Sequence, residues 1–430
     1  MASLEPSPFP HADTATTRAA RISAHVGIFT VRSWRRINQP TRLEAQRRVR
    51  RIGPSSCSLV DGRSFANRGD LWFPDRLTTG DPVTRVLSGI QPTGGLHVGN
   101  YLGAVRRWVE DQDRVDGFFC IVDLHAMTVP HDPAQLREDT LRLAATLFAA
   151  GLDPRRSTIF LQSHVPAHAE LQWLLNCVAS MGELNRMVQW KEKSAGREFV
   201  SVALFDYPVL QAADILLYQA DEVPVGEDQR QHIELTRDLA QRFNHRFGSV
   251  FTIPNAAIPK AGARVMDLQL VDKKMSKSLD SPKGTINLTD TPKQITRKVM
   301  AAVTDSGSEI RAAPTKQGVT NLLDLMSAVT GEDVASLQER FAGRGYGEFK
   351  KEVAEAVVEL LRPVQDRYQQ LASDLVQLQG LLAVGADKAH EVASATLAAA
   401  KDAVGLVPPV GERWTDVALA APQQDTSPAW

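Results

Sequence analysis

Apolar and polar positions change period several times along the chain. Arg85-Val86-Leu87-Ser88 has the make-up of a short buried strand and runs into a glycine-rich stretch, Gly89 to Asn100. Beyond it Leu102, Val105, Trp108 and Val109 recur at helical spacing on one face. Phe118 to Val122 is an unbroken apolar run ending in Asp123-Leu124-His125, and an amphipathic helix is expected from about Pro133 to Ala150. Thr158-Ile159-Phe160-Leu161 reads as a third strand. Strands alternating with helices across short turns predict an α/β fold with a parallel, doubly wound sheet. Ligands of such sheets lie beyond the carboxyl ends of the strands, where Gln91, Asp123 to His125 and Gln162 fall. From about Thr291 the pattern is helical alone, with long amphipathic stretches at 349–382 and 386–403, so a domain change is expected near residue 290.

Composition narrows this picture. With 430 residues, 43% hydrophobic, 23% charged and a formal net charge of −1, the chain reads as a soluble globular protein with room for two or three domains. No run approaches the ~20 apolar residues of a membrane span, so a membrane partner is not expected. Cys57, Cys120 and Cys177 are too scattered for a disulfide framework or CxxC metal spacing, which points to a reducing, cytoplasmic setting. Residues 1–51 carry ten Arg, no Lys and three acidic residues, and no apolar period runs through 1–84, so a poorly ordered extension is expected there. Three readings of it stay open: an organellar transit peptide, an RNA-contacting arm, or a dispensable leader, of which the last is preferred. The first lysine of the whole chain is Lys191, so lysines, where they do appear, mark positions with a chemical demand. The Pro-rich end, 406–430, is expected to fray.

Two short segments carry candidate chemistry. Gly94, Gly95 and Gly99 surround His97 in a strand-to-helix turn whose exposed N–H groups suit a phosphate, although a plain structural turn fits the glycines equally well. Asp272-Lys273-Lys274-Met275-Ser276-Lys277-Ser278 is a cationic loop, and alone it is as readily a solvated surface loop. Together, in this order and some 175 residues apart, the His-x-Gly-Asn turn and the Lys-Met-Ser-Lys-Ser loop resemble the paired ATP signatures of class I aminoacyl-tRNA synthetases. Further segments extend the likeness: Ser88 to Gly94, Val122 to Ala126, Trp190-Lys191-Glu192-Lys193-Ser194, Tyr207 to Tyr218, Val223 to Gln229, and Ala302 to Ser306. Over about 85–405 the chain is similar to the tryptophanyl-tRNA synthetase family of the bacterial or organellar type. Leu87, Gln211 and Trp190 depart from it, standing where many members carry Phe, Met and Phe, and the long leader has no counterpart in the compact members.

The resemblance implies a Rossmann-type catalytic domain at 85–290 and an α-helical, anticodon-reading domain at 291–405. It implies that L-tryptophan is activated by ATP and moved to tRNA(Trp), in a homodimer. Adenylate formation is displacement at the α-phosphorus by a carboxylate that is already charged, so fixed positive charge and positioning matter more than a general base. Lys193, Lys274 and Lys277 are the expected suppliers, with Mg²⁺ on the phosphate oxygens. Gln91, Pro92, Thr93, Gly99 and Asn100 match ATP contacts, and His97 lies in the phosphate turn. Gly226, Glu227 and Asp228 match the ribose and adenosine segment, Val265 matches an adenine contact, and Met275, Ser276 and Ser278 complete the loop. For tryptophan, Asp214 matches the acceptor of the indole N–H, and Tyr207, Gln211 and Gln229 match ammonium contacts. Gly89, Gln91 and His125 match pocket residues, and Val223 and Val225 match the indole cavity. On a helix Tyr207, Gln211 and Asp214 share a face, with Pro208 expected in its first turn. No zinc or iron–sulfur site is expected. A tyrosine-specific synthetase and a catalytically silent paralogue are the alternatives.

Overall fold

The structure, a computed structural model, describes residues 83–257, 265–276, 279, 281–409 and 414. The expected extension as far as residue 82, the tail beyond 409 apart from Trp414, and Lys277 and Ser278 lie outside these residues.

Five strands, β1 (Arg85–Ile90), β2 (Asp116–Ile121), β3 (Thr158–Leu161), β4 (Glu222–Pro224) and β5 (Asn255–Ala257), form one sheet in the order β3-β2-β1-β4-β5. Every pairing is parallel, with Leu87 opposite Phe118 and Phe119 opposite Ile159. The doubly wound sheet read from the sequence is the one observed. Alternate residues of β2 serve two cores. Phe119 and Ile121 pack into one with α4 (Pro133–Ala150), while Phe118 and Cys120 join the other with helices introduced below. Burial on both faces explains why the strands read as continuous apolar runs.

Short elements follow the strands: α1 (Val98–Asn100) comes after β1 and continues through a π turn over Tyr101–Val105 into α2 (Arg106–Asp111), which carries the chain back to the start of β2, and α3 (Asp123–Ala126) follows the carboxyl end of β2. The second face is covered by α5 (Ala167–Asn176), α6 (Met181–Arg186), α7 (Val188–Ser194), α8 (Val202–Leu217) and α9 (Arg230–Phe247). Helix α8 corrects one expectation. It starts six residues before Pro208, where Ser201 Oγ accepts the Leu204 N–H at 3.2 Å, so Pro208 sits inside the helix rather than in its first turn. Gly226 precedes a 3₁₀ turn, Glu227–Gln229, that runs directly into α9.

Beyond residue 290 every described element is a helix: α10 (Pro292–Met300), α11 (Gln317–Thr330), α12 (Val334–Arg340), α13 (Tyr346–Ser373) and α14 (Leu375–Ala403). The last helix break falls at Asp374, not near 383–385 as the apolar pattern suggests. The Asp374 side chain accepts the Gln377 N–H at 2.9 Å and starts a new helix there. The helical part is not set apart from the sheet. Helix α13 packs on α4, and α14 lies so close to β3 that a Cβ at Gly385 would overlap the Ile159 carbonyl.

Candidate active site

The glycine turn and the segment that follows the lysine loop meet through the backbone. His97 bridges antiparallel to Asn287, Val98 N donates to Ile286 O at 2.8 Å, and Leu288 N donates to Leu96 O at 2.9 Å. The chain leaving the lysine loop is thus sewn to the glycine turn. The loop's entry is held as well, by a Met266–Lys274 bridge and by Met275 N donating to Val265 O at 3.0 Å. A Cβ at Gly99 would lie 3.6 Å from Val265 and 3.1 Å from the His97 ring, which is why only glycine fits comfortably between them. Gly94, at φ 65°, supplies the left-handed step of the turn. His97 and Asn100 close on each other: the imidazole Nδ1 accepts the Asn100 backbone N–H and the Asn100 side-chain Oδ1 accepts the His97 backbone N–H, both at 3.2 Å. Gln91, Thr93 and Lys274 are exposed beside this seam, Pro92 and Met275 are buried, and Gly99, Asn100 and Ser276 are half-buried.

A second group lies beneath the carboxyl edge around Asp214, which is 3% exposed. His125 Nε2 is 2.8 Å from Oδ2, while Gln162 Nε2 at 2.7 Å and His168 Nδ1 at 2.7 Å meet Oδ1. The outer nitrogen of His168 is 2.8 Å from the Tyr218 hydroxyl, and Gln162 Oε1 accepts the Leu124 N–H at 3.2 Å. Burial alone would push the Asp214 carboxyl up. The neighbouring His125, with hydrogen bonds from His125 and His168, outweighs it and holds the group well below the usual carboxylate range. A carboxylate offers about four lone-pair sites, of which three are taken here, leaving one on Oδ2.

A third group lies against the second. Tyr207 O lies 3.1 Å from Gln189 Oε1 and 2.8 Å from His232 Nε2, and the Lys193 ammonium donates to the same Gln189 oxygen at 3.1 Å. That ammonium also stands 5.3 Å from the centre of the Tyr207 ring. Burial pushes the Tyr207 hydroxyl up to about 12 and lowers the Lys193 ammonium, with Arg197 adding to the second effect. Tyr207 and His125 rings meet edge to face, their centres 6.2 Å apart, so the Asp214 group and the Lys193 group share a wall.

A family model described as tRNA synthetases class I (W and Y) matches residues 80–362. The chain belongs to this family. Tryptophan–tRNA ligase 2 of Streptomyces avermitilis is 56% identical over 328 residues, which is 75% of this chain and 97% of that protein. Tryptophan–tRNA ligase of Mycobacterium leprae is 50% identical over 343 residues, 78% of this chain and all of its own length. Among solved structures, tryptophanyl-tRNA synthetase from Campylobacter jejuni, complexed with ADP and tryptophan, superposes with a TM-score of 0.68 at 35% identity and covers 75% of this chain and 100% of its own.

Set in this class I frame, the remaining expected positions fall on the same edge of the sheet. Gly89 pairs with Cys120 one residue before the end of β1, and a Cβ there would lie 3.2 Å from Val122 Cγ1. Val223 is buried in β4, Val225 is half-buried, and Gly226, Glu227 and Asp228 are exposed on the turn into α9. Glu227 is occupied by Arg230, which donates to it at 2.7 and 3.0 Å, and Gln229 donates to Asp228 at 3.0 Å. Gln211 is half-buried on α8 between Tyr207 and Asp214. Among the described residues no three His, Cys, Asp or Glu side chains gather as a metal site. The sequence reading misses Gln189, His168, Tyr218 and His232 as members of the site. Tyr218 and Gln189 carry a signal in hindsight, each four residues from a residue already singled out, Asp214 and Lys193. His168 and His232 carry none, because their partners come from other helices.

Proposed function

We propose that this chain is a tryptophan–tRNA ligase, joining L-tryptophan to ATP with release of diphosphate and then passing the activated carboxyl to the ribose of tRNA(Trp). The observation that supports the chemistry is the seam between 96–98 and 286–288, which ties the phosphate turn to the segment that follows the lysine loop. The choice of amino acid is supported by relatives named for tryptophan at half identity or better over nearly their whole length.

In the first step the tryptophan carboxylate attacks the α-phosphorus, the bond to the β-phosphate oxygen breaks, and the electron pair leaves on diphosphate. Charge therefore builds on the leaving group, and Lys193, Lys274 and Lys277 are the groups to meet it. Gln91, Pro92, Thr93, His97, Gly99 and Asn100 hold the nucleotide, with Gly226 to Asp228 and Val265 on its adenosine end and Met275, Ser276 and Ser278 in the closing loop. Mg²⁺ enters as part of the MgATP substrate. Asp214, whose remaining lone pair lies on Oδ2, accepts the indole N–H, while Tyr207, Gln211 and Gln229 take the ammonium, and Gly89, His125, Val223 and Val225 shape the slot. By the same reading 85–290 binds ATP and tryptophan, 291–405 reads the anticodon, 1–84 and 406–430 are appendages, and the enzyme works as a cytoplasmic homodimer.

ATP–diphosphate exchange tests this reading directly. Tryptophan supports exchange, tyrosine is mis-shaped for a bicyclic slot and does not, phenylalanine falls behind by about 10⁴-fold because it leaves the buried acceptor without a donor, and a benzothienyl analogue with sulfur in place of the indole nitrogen is a poor substrate. In Asp214→Ala tryptophan activation drops severely and the handicap of the sulfur analogue shrinks. Exchange driven by tyrosine, or by no amino acid, would sink the assignment. Equal use of tryptophan and its sulfur analogue would remove Asp214 from the specificity role.

A further inference from the structure

Tyr207 has one hydroxyl proton and two neighbours able to receive it, Gln189 Oε1 at 3.1 Å and His232 Nε2 at 2.8 Å. Gln189 Oε1 is already served by Lys193, a group that can only donate. His232, on α9, is 1% exposed, and its other ring nitrogen, Nδ1, has no hydrogen-bond partner among the described residues. A buried ring with one nitrogen unpaired carries a desolvation cost that a phenyl or isobutyl side chain would avoid. The one side-chain hydrogen bond that sets His232 apart from an apolar residue is the one to Tyr207.

We propose that His232 is a positioning residue for amino-acid recognition: its Nε2 accepts the Tyr207 O–H, turns that proton into the protein, and leaves the lone pairs of the Tyr207 oxygen to the substrate's ammonium group. An ammonium offers only donors, so a tyrosine hydroxyl helps it only when its own proton points elsewhere. The imidazole also has to stay uncharged, since a second cation beside Lys193 would repel the ammonium. Burial, with Lys193 and His125 nearby, pushes the His232 ring down to about 4 against the pull of Asp228. The inference rests on the placement of the ammonium at Tyr207 proposed above.

Two ligands separate the possibilities in the full-length protein. Tryptamine keeps the indole and the ammonium without the carboxylate, and indole-3-propionate keeps the indole and the carboxylate without the ammonium. His232→Phe weakens tryptamine about tenfold, the worth of one hydrogen bond, and indole-3-propionate less than about twofold. His232→Gln, whose amide oxygen reaches the place of Nε2, restores tryptamine binding. His232→Asn, too short to reach Tyr207, does not, and it repeats the comparison without an apolar ring. Equal losses for both ligands, or none for either, overturn the inference. Tyr207→Phe is the control on the underlying reading. If it fails to separate the two ligands, the ammonium is not at Tyr207 and both ideas fall. If Tyr207→Phe separates them and His232→Phe does not, only the role of His232 falls.

Discussion

Asp214 and His232 are both buried, yet burial acts on them with opposite outcomes. Asp214 has three polar partners and keeps its charge, whereas His232 has one and is held neutral. The histidine has a consequence for acid stability. Its folded value of about 4 lies below the ordinary 6.5. Between those values the unfolded chain binds a proton that the folded chain refuses, so stability falls as pH drops through that window. At pH 5 the loss from this one ring is about 2 kcal/mol. The wild type is therefore expected to lose more thermal stability between pH 7 and pH 5 than His232→Gln, measured as the shift in Tm in matched buffers, and equal shifts would contradict it. At this scale the sequence is legible where one helix carries several functional residues. Tyr207, Gln211 and Asp214 stand out because a carboxylate three residues from an amide sits amid Val209, Leu210, Ile215 and Leu216. His168 and His232 are not legible, since a histidine on an apolar helix face looks like any core histidine until its cross-helix partner is known.

At the level of elements, the lysine loop is held from two directions. Its exit strand is sewn to the glycine turn, and its entry segment is clasped by α11, where the Asn321 side chain pairs with both backbone groups of Met266. Met266 N donates to Asn321 Oδ1 at 2.9 Å, and Asn321 Nδ2 donates to Met266 O at 3.0 Å. Asp267, next in the chain, accepts from the Gln269 and Leu270 N–H groups and from Ser281 Oγ at 3.0 Å, which folds the loop back on itself. Asn321→Ala leaves two part-buried backbone groups of Met266 without this partner, at about 1–3 kcal/mol, and frees the loop entry. Adenylate formation is then expected to slow by roughly 10- to 100-fold while the KM for tryptophan moves less than about twofold. Pre-steady-state measurement of adenylate formation checks this, and a parallel rise in the tryptophan KM would show that the clasp serves the fold instead. Element existence is well legible from the chain: β3 and α4 fall where periodicity puts them because strand and helix patterns are clean there. The break at Asp374 and the early start of α8 are less legible, because apolar spacing runs straight through one and a proline suggests a boundary in the other.

The whole molecule presents several large apolar side chains to solvent on one set of packed elements. Trp173 on α5 is 71% exposed, Met181 on α6 67%, Phe199 in the segment before α8 81%, and Val202 at the start of α8 79%. A groove of about 750 Å³ lies alongside, lined by Met127, Val129, Arg197, Phe199 and Leu204 among others. Exposed apolar residues in such number mark a contact surface, and the homodimer proposed above is the occupant that suits them, through a two-fold interface. Trp173→Glu combined with Phe199→Glu is expected to convert a dimer to monomers in light scattering, with tRNA charging lost more than tryptophan activation. A wild-type protein that is monomeric and fully active would rule the dimer out. The close approach of Gly385 to the Ile159 carbonyl also has a meaning for how the chain is made. Edge strand β3 and the apolar faces of Phe160, Leu171 and Leu175 share a core with Ala389, Ala393, Leu397 and Ala400 of the last long helix. During synthesis the sheet therefore leaves the ribosome with one flank uncovered, and that flank waits some 240 residues for its cover. The nascent chain must be kept from sticking through this flank until α14 has been made.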